Sequence, residues 1–380
     1  MQVSPRHRER SLAVEETLRQ VFAFENQRAP YIVFDANYWL FGELPEDIPP
    51  DYCGPDPGRM IEFQVQKIER HLREHDDAYI PYLMPWYGTG VLASAFGVPV
   101  KFQEGMDPAV GLAPIRDAGQ LGDLKRPDPQ RDGLMPRVLQ TIRAMRQKSD
   151  LPVSFTDCQG PLTTAMQIVG YDRLIYWMYD YPEKVHELMG LVTEALIDWV
   201  KLQKAVAGCG PAGDCYVLGV KVPDGLGGVW IADDDSVIFG DELYREFVVP
   251  YNGRILTAFG GGAIHYCGKA NQHIESFLET DGLRAIHNAT LDDLETASRL
   301  RHALAEKKII FLASDYTVAD DAIERYFEEL FARLGHRGLV VISYVAPGVA
   351  LRRGKYDAAR RDRHAVGLAV ERAIRKYGGE

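Results

Sequence analysis

The sequence predicts an α/β chain folded as a (β/α)8 TIM barrel with an N-terminal helical extension. Three observations predict it. Short, continuously apolar runs of strand type alternate with amphipathic runs of helical period, the pattern of a parallel sheet covered on both faces. About eight such units fit in the 380 residues, which favours a closed barrel over an open sheet. Polar residues follow one apolar run after another, as they do around the mouth of such a barrel.

The elements follow in chain order. Residues 11–27 carry Leu12, Val14, Leu18, Val21 and Phe22 on one helical face, and Arg28-Ala29-Pro30 ends the run. Residues 31–34 read as the first strand, residues 61–71 as a helix, residues 78–85 as the second strand and residues 98–102 as a short additional one. The stretch 108–132 is polar and broken by Pro and Gly, so it reads as a surface excursion. Residues 151–156 form the next strand. After Pro182 the positions Val185, Leu188, Met189, Val192, Leu196, Trp199 and Leu202 recur at steps of three and four, a strong amphipathic helix. Strands are expected at 215–220, 229–232, up to His265 and Cys267, at 283–287, 309–313 and 339–343. Helices are expected at 244–259, through 274–278, at 294–304, 323–334 and about 365–375. No Gly/Ser or Pro linker divides the chain, so it reads as one domain over 1–380, with residues 1–30 as the helical extension.

Composition narrows the function. The 46% hydrophobic content suffices for a full core, and the formal net charge of −11 argues against a nucleic-acid partner or an anionic membrane surface. No apolar run approaches the length of a membrane span. The basic segment Met1–Arg10 has no apolar region behind it and does not read as a secretory signal. Five scattered cysteines do not make a disulfide framework. A cytoplasmic protein with a small-molecule substrate is the expectation.

The stretch Gly260-Gly261-Gly262-Ala263-Ile264-His265-Tyr266-Cys267-Gly268 carries the chemistry. Residues two apart on a strand share a face, so His265 and Cys267 can aim an imidazole and a thiolate at one point, a zinc-compatible half-site. The alternative is a buried strand end with a hydrogen-bonded His and an inert Cys. Asp157, Cys158 and Gln159, the run Asp233-Asp234-Asp235, His287 with Asn288, Asp315 and Tyr344 close other strands and would face the same mouth. The acidic run also suits a helix cap or a solvated turn. Cys158 also suits a small buried group, and Cys209 and Cys215, whose gap matches no common zinc spacing, read as structural. His71, His75, His186, His273, His302, His336 and His364 fall on helix or turn patterns and read as surface groups. The glycine run precedes a strand rather than a helix, which makes a phosphate cradle a weak reading.

Five stretches carry a family resemblance: Asp157-Cys158-Gln159-Gly160-Pro161-Leu162-Thr163-Thr164-Ala165, Tyr181-Pro182-Glu183-Lys184-Val185, Ile231-Ala232-Asp233-Asp234-Asp235-Ser236, Tyr244-Arg245-Glu246-Phe247-Val248-Val249-Pro250-Tyr251 and His265-Tyr266-Cys267-Gly268. Through them the chain resembles the uroporphyrinogen decarboxylase superfamily, and within it the corrinoid-dependent zinc methyltransferases, over about residues 75–350. The resemblance implies a (β/α)8 barrel. It also implies zinc at His265 and Cys267, a corrinoid (methylcobalamin) supplied by a partner protein, and a small-molecule methyl donor or acceptor. The porphyrin decarboxylases of the superfamily carry an N-terminal Arg-rich motif and an Asp after an early strand. Here the early strands end in Asn37-Tyr38-Trp39 and Pro85-Trp86-Tyr87-Gly88, so porphyrin decarboxylation is not expected. The thiol-methylating members add a later Cys as a zinc ligand. This chain has no Cys after Cys267, and the matching region reads Ser343-Tyr344-Val345-Ala346-Pro347-Gly348.

The third ligand is therefore expected elsewhere. His287 is the choice, because its strand neighbours that of His265 at about 4.8 Å. Cys158 is the alternative third ligand, and Asp315 a further option with a harder oxygen. Asp233 and Asp315 are expected to orient substrate or act as base. Gln159, Asn288 and Tyr344 are expected to contact substrate. A metal-independent lyase and a non-catalytic corrinoid- or tetrapyrrole-binding barrel remain the alternatives to a methyltransferase.

Overall fold

The computed structural model describes residues 4–34, 47–288, 293–316, 322–345 and 362–379. Asn37, Tyr38 and Trp39 and residues 346–348, both used in the reading above, lie outside the described residues.

The described strands are β1 (Tyr31–Phe34), β2 (Val100–Lys101), β3 (Ala109–Val110), β4 (Cys215–Val217), β5 (Val220–Val222), β6 (Val229–Ala232), β7 (Gly262–Tyr266), β8 (Leu283–Asn288), β9 (Ile310–Tyr316) and β10 (Leu339–Tyr344). Six of them form one parallel sheet in the order β1-β10-β9-β8-β7-β6. The remaining two staves are extended segments joined by single bridges. Ala78 N donates to Tyr31 O at 2.8 Å, Leu83 pairs with Val153, and Gln159 pairs with Ala232. The ring therefore closes from β1 through residues 78–83 and 153–159 to β6. Pro81 lies within the first of these staves and Pro85 and Pro152 flank the two, and proline cannot donate to a ladder, which is why only isolated bridges form there. Helices cover the outside, among them Pro57–Glu74, Met135–Lys148, Pro182–Ala207, Leu294–Glu306, Ile323–Leu334 and Arg363–Tyr377. The chain is a (β/α)8 barrel.

Its strands are buried on both faces: every residue of β1, β6, β7 and β10 is buried. That accounts for the continuous apolar runs in the sequence. The N-terminal helix spans Pro5–Phe22, capped by the Ser4 side chain, which accepts from His7 N. Arg10 ties it to the barrel by donating to Asp77 O at 2.9 Å.

Two expectations need correction. Residues 215–220 do not enter the barrel. They belong to a hairpin, β4 antiparallel to β5, turning at Leu218 and Gly219. Both turn residues have positive φ, 45° and 99°, as the tight hairpin turn that matches strand twist requires. A methyl group on Gly219 would come within 2.6 Å of Phe34 Cε2, so the tip also needs glycine for close approach to β1. The leucine in the turn hides it from sequence inspection. His71, His75 and His273, expected at the surface, are buried. Each has a polar partner that compensates burial: Asp77 Oδ1 at 3.1 Å from His71 Nε2, Glu371 Oε1 at 2.9 Å from His75 Nδ1, and Ser236 O at 2.9 Å from His273 Nε2.

Candidate metal centre

β7 is apolar up to His265, and its register sets the site. Ala232 of β6 stands beside His265, so Asp234, two residues on, reaches the level of Cys267. Asp234 Oδ1 accepts from Cys267 N at 2.7 Å and lies 3.4 Å from His265 Nε2. Cys267 Sγ lies 3.5 Å from the same nitrogen. The ligand atoms of Asp234, His265 and Cys267 all fall within 4.8 Å of one another. A carboxylate, an imidazole and a thiol at this spacing suit a borderline-soft cation such as zinc, so the donor set fits the expected metal. Cys267 is exposed at the mouth, whereas His265 is buried.

His265 and His287 are direct neighbours in the β7–β8 register. His287 lies on the far side of the His265 ring: the two Nδ1 atoms are 2.6 Å apart, and His287 Nε2 is 2.6 Å from Ser314 Oγ. The third position of the ligand group thus belongs to Asp234, and His287, the expected third ligand, sits behind His265. Burial pushes both imidazoles below the ordinary His range. For His265 the carboxylate of Asp234 opposes this, and for His287 the neighbouring ring reinforces it. Two neutral rings in this order can pass one direction of hydrogen bonds. Were His265 Nε2 to hold a metal, its proton would sit on Nδ1 and be donated to His287 Nδ1. His287 would then carry its proton on Nε2 and donate to Ser314 Oγ.

Cys158, the alternative third ligand, is absent from the group. Its thiol donates to Thr156 O at 3.3 Å, and burial, with the neighbouring Asp157, holds it well above the ordinary thiol range. It is a protonated core group. Asp233 is fully buried: its Oδ2 accepts from Tyr244 OH at 2.7 Å and Asn252 Nδ2 at 3.1 Å. Burial moves its pKa to about 6 against those two hydrogen bonds. Asp233 therefore braces the strand end behind Asp234. Asp315 stands opposite Ser343 on the β9–β10 ladder, and its side chain lies outside the described residues. Asn288 Nδ2 donates to Tyr266 O at 3.1 Å and Gly268 O at 3.0 Å, fastening the loop that presents Cys267. Tyr344 is buried edge-on against Phe34, with ring centroids 4.7 Å apart. Gln159 Nε2 donates to Asp157 Oδ1 at 2.7 Å.

Asp157 is the titratable group that sequence reasoning left without a role. Burial raises its pKa to about 7, opposed by Gln159 and reinforced by the charges of Asp234 and Asp107. A carboxyl whose folded pKa lies above its unfolded value favours folding most below the unfolded pKa. That contribution is lost as pH rises through the folded value. Asp157→Asn is therefore expected to be the more stable protein at pH 8, by a few kcal/mol at about 1.4 kcal/mol per unit, with the gap shrinking towards pH 4. Thermal unfolding of both proteins across that range checks it. A constant gap would place the effect elsewhere.

The family model for uroporphyrinogen decarboxylase (URO-D) matches residues 49–210. A uroporphyrinogen decarboxylase of Xylella fastidiosa is 27% identical over 222 residues, 55% of this chain and 57% of that protein. One of Xanthomonas euvesicatoria pv. vesicatoria is 27% identical over 208 residues, 51% of this chain and 53% of that protein. The chain thus spans about half the length of the curated relatives it matches. A solved methyltransferase from Methanosarcina mazei superposes with a TM-score of 0.69 at 15% identity, covering 96% of this chain and 98% of that one, which shows a shared fold. The family match includes Asp157 and Gly160-Pro161 and stops before Asp234, His265 and Cys267. With the barrel closed and the matched motif on its third stave, the chain is similar to the uroporphyrinogen decarboxylase family over residues 49–210.

Proposed function

We propose that the protein is a zinc-dependent methyltransferase working at the barrel mouth between a partner protein's corrinoid and a small-molecule methyl donor or acceptor. The single observation that carries this reading is the convergence of Asp234, His265 and Cys267 on one point at the ends of two adjacent strands. Zinc held there would supply Lewis acidity, lowering the pKa of a bound acceptor or polarising the leaving atom of a donor. A partner-borne corrinoid would carry the methyl group, and the exposure of Cys267 at the mouth suits delivery from outside the chain. The chain's own part is positional and protonic. The His265–His287–Ser314 series fixes the imidazole that would hold the metal. Asn288 anchors the Gly268 turn. Asp157, titrating near neutrality, holds or releases a proton at the mouth as the acceptor is activated.

The test is the loss of methylcobalamin absorbance with thiol, folate and aromatic-ether partners, with and without a chelator. Turnover that falls to the background of free methylcobalamin on chelation, and returns with zinc, is the expected result. A second reading, a metal-independent decarboxylase, draws on the names of the 27%-identical relatives. It requires carboxylate loss from a porphyrinogen that chelation leaves intact, and that outcome would replace the methyltransferase reading.

A further inference from the structure

A second group of ligating side chains shares no residue with the mouth cluster. It lies where the helix Pro57–Glu74 ends and the helix Arg363–Tyr377 begins. The ligand atoms of Glu74, His75 and His364 all fall within 4.8 Å of one another.

His75 makes this more than a chance gathering. It is only 4% exposed, and its Nε2 is buried without a hydrogen-bond partner. A buried imidazole nitrogen left unpaired carries a desolvation cost that a ligand would remove. Its other nitrogen, Nδ1, lies 2.9 Å from Glu371 Oε1. A histidine oriented by a carboxylate at one nitrogen and free at the other is the arrangement of metal-binding imidazoles. The packing makes room for it: a methyl group on Gly367 would sit 2.6 Å from His75 Cε1 and 3.3 Å from Nε2. Glu74 Oε2 lies 4.0 Å from His364 Nδ1, while Glu74 Oε1 is 3.9 Å from the Arg73 guanidinium. The neighbouring carboxylate–histidine contact, His71 Nε2 to Asp77 Oδ1 at 3.1 Å, stands apart from this group.

We propose that Glu74, His75 and His364 bind a divalent cation of the zinc type, with Glu371 holding the His75 tautomer. Two imidazoles and one carboxylate are a donor set that suits such a cation. The site joins residues some 290 positions apart (364 − 74 = 290), so its metal would clasp the last helix to the second half of the first βα unit. Its role is structural, and methyl transfer at the mouth does not depend on it.

The full-length protein is stripped with a chelator, reloaded with Zn2+, desalted and assayed for metal by elemental analysis. Wild type is expected to hold two equivalents, Cys267→Ala one, His364→Ala one, and the double variant none. In the Cys267→Ala protein, Zn2+ is expected to raise the unfolding temperature, and in the double variant it is not. His364 is exposed, so its replacement leaves the fold in place, and Glu74→Gln serves as a second variant with the same expected loss. Metal content in His364→Ala and Glu74→Gln equal to wild type would overturn the proposal. Failure at the mouth alone reads differently: wild type and Cys267→Ala would then hold the same single equivalent, and His364→Ala none.

Discussion

Cys267→Ala is expected to fold normally and to lose the metal at the mouth. The side chain is exposed at a strand end, and its Sγ contact at 3.5 Å is to His265 Nε2, a fellow member of the ligand group. Removing a small exposed side chain away from the packed core costs within about 0.5 kcal/mol, so the metal-free variant should unfold within a degree or two of metal-free wild type. The metal effect is far larger. Even groups behind the ligands change affinity by about 10- to 100-fold, and a thiolate ligand contributes more than they do. Zinc affinity at the mouth should therefore fall by about 100-fold or more, and methyl transfer with it. Competition against a chromogenic chelator, run beside thermal unfolding, separates the two effects. Lost stability with unchanged zinc affinity would make Cys267 a packing residue.

His287→Ala should weaken both metal binding and the fold. The ring is fully buried between His265 Nδ1 and Ser314 Oγ. Deleting it opens a cavity and leaves two buried polar atoms without this partner, at a cost of about 2–4 kcal/mol. It also frees the His265 ring to rotate and to take the other tautomer, which should weaken zinc binding by about 10- to 100-fold. The number of protein ligands on the metal should stay the same, because His287 stands behind His265. A lower coordination number in the variant would make His287 a direct ligand, and unchanged affinity would detach it from the site.

The barrel was legible because its strands are buried on both faces, so that runs such as Leu339-Val340-Val341-Ile342 stand out from the helical periods around them. His265 and Cys267 were legible for a local reason: strand geometry alone puts them on one face. Asp234 was hidden inside an acidic run that also suits a helix cap. What distinguishes it from Asp233 and Asp235 is the β6–β7 register, a relation between strands that the order of residues does not state. His287 was correctly brought beside His265 by the strand order, but which nitrogen it would face depends on side-chain rotation. Asp157 was placed at the mouth without a role, and His75 at the surface, for one reason. Their chemistry comes from burial, supplied by parts of the chain far away in sequence, including Glu371 and Gly367 in the case of His75. The hairpin at 215–222 was misread because its turn carries Leu218 at positive φ, where glycine or asparagine would have marked it.

The most direct test of the mouth site is zinc K-edge X-ray absorption on His364→Ala protein loaded with one equivalent of zinc, which isolates that site from the second one. The account predicts a single sulfur at about 2.3 Å with nitrogen and oxygen neighbours at about 2.0–2.2 Å, the sulfur disappearing when Cys267→Ala is added. Zinc bound without any sulfur neighbour, or no zinc retained at all, would contradict it.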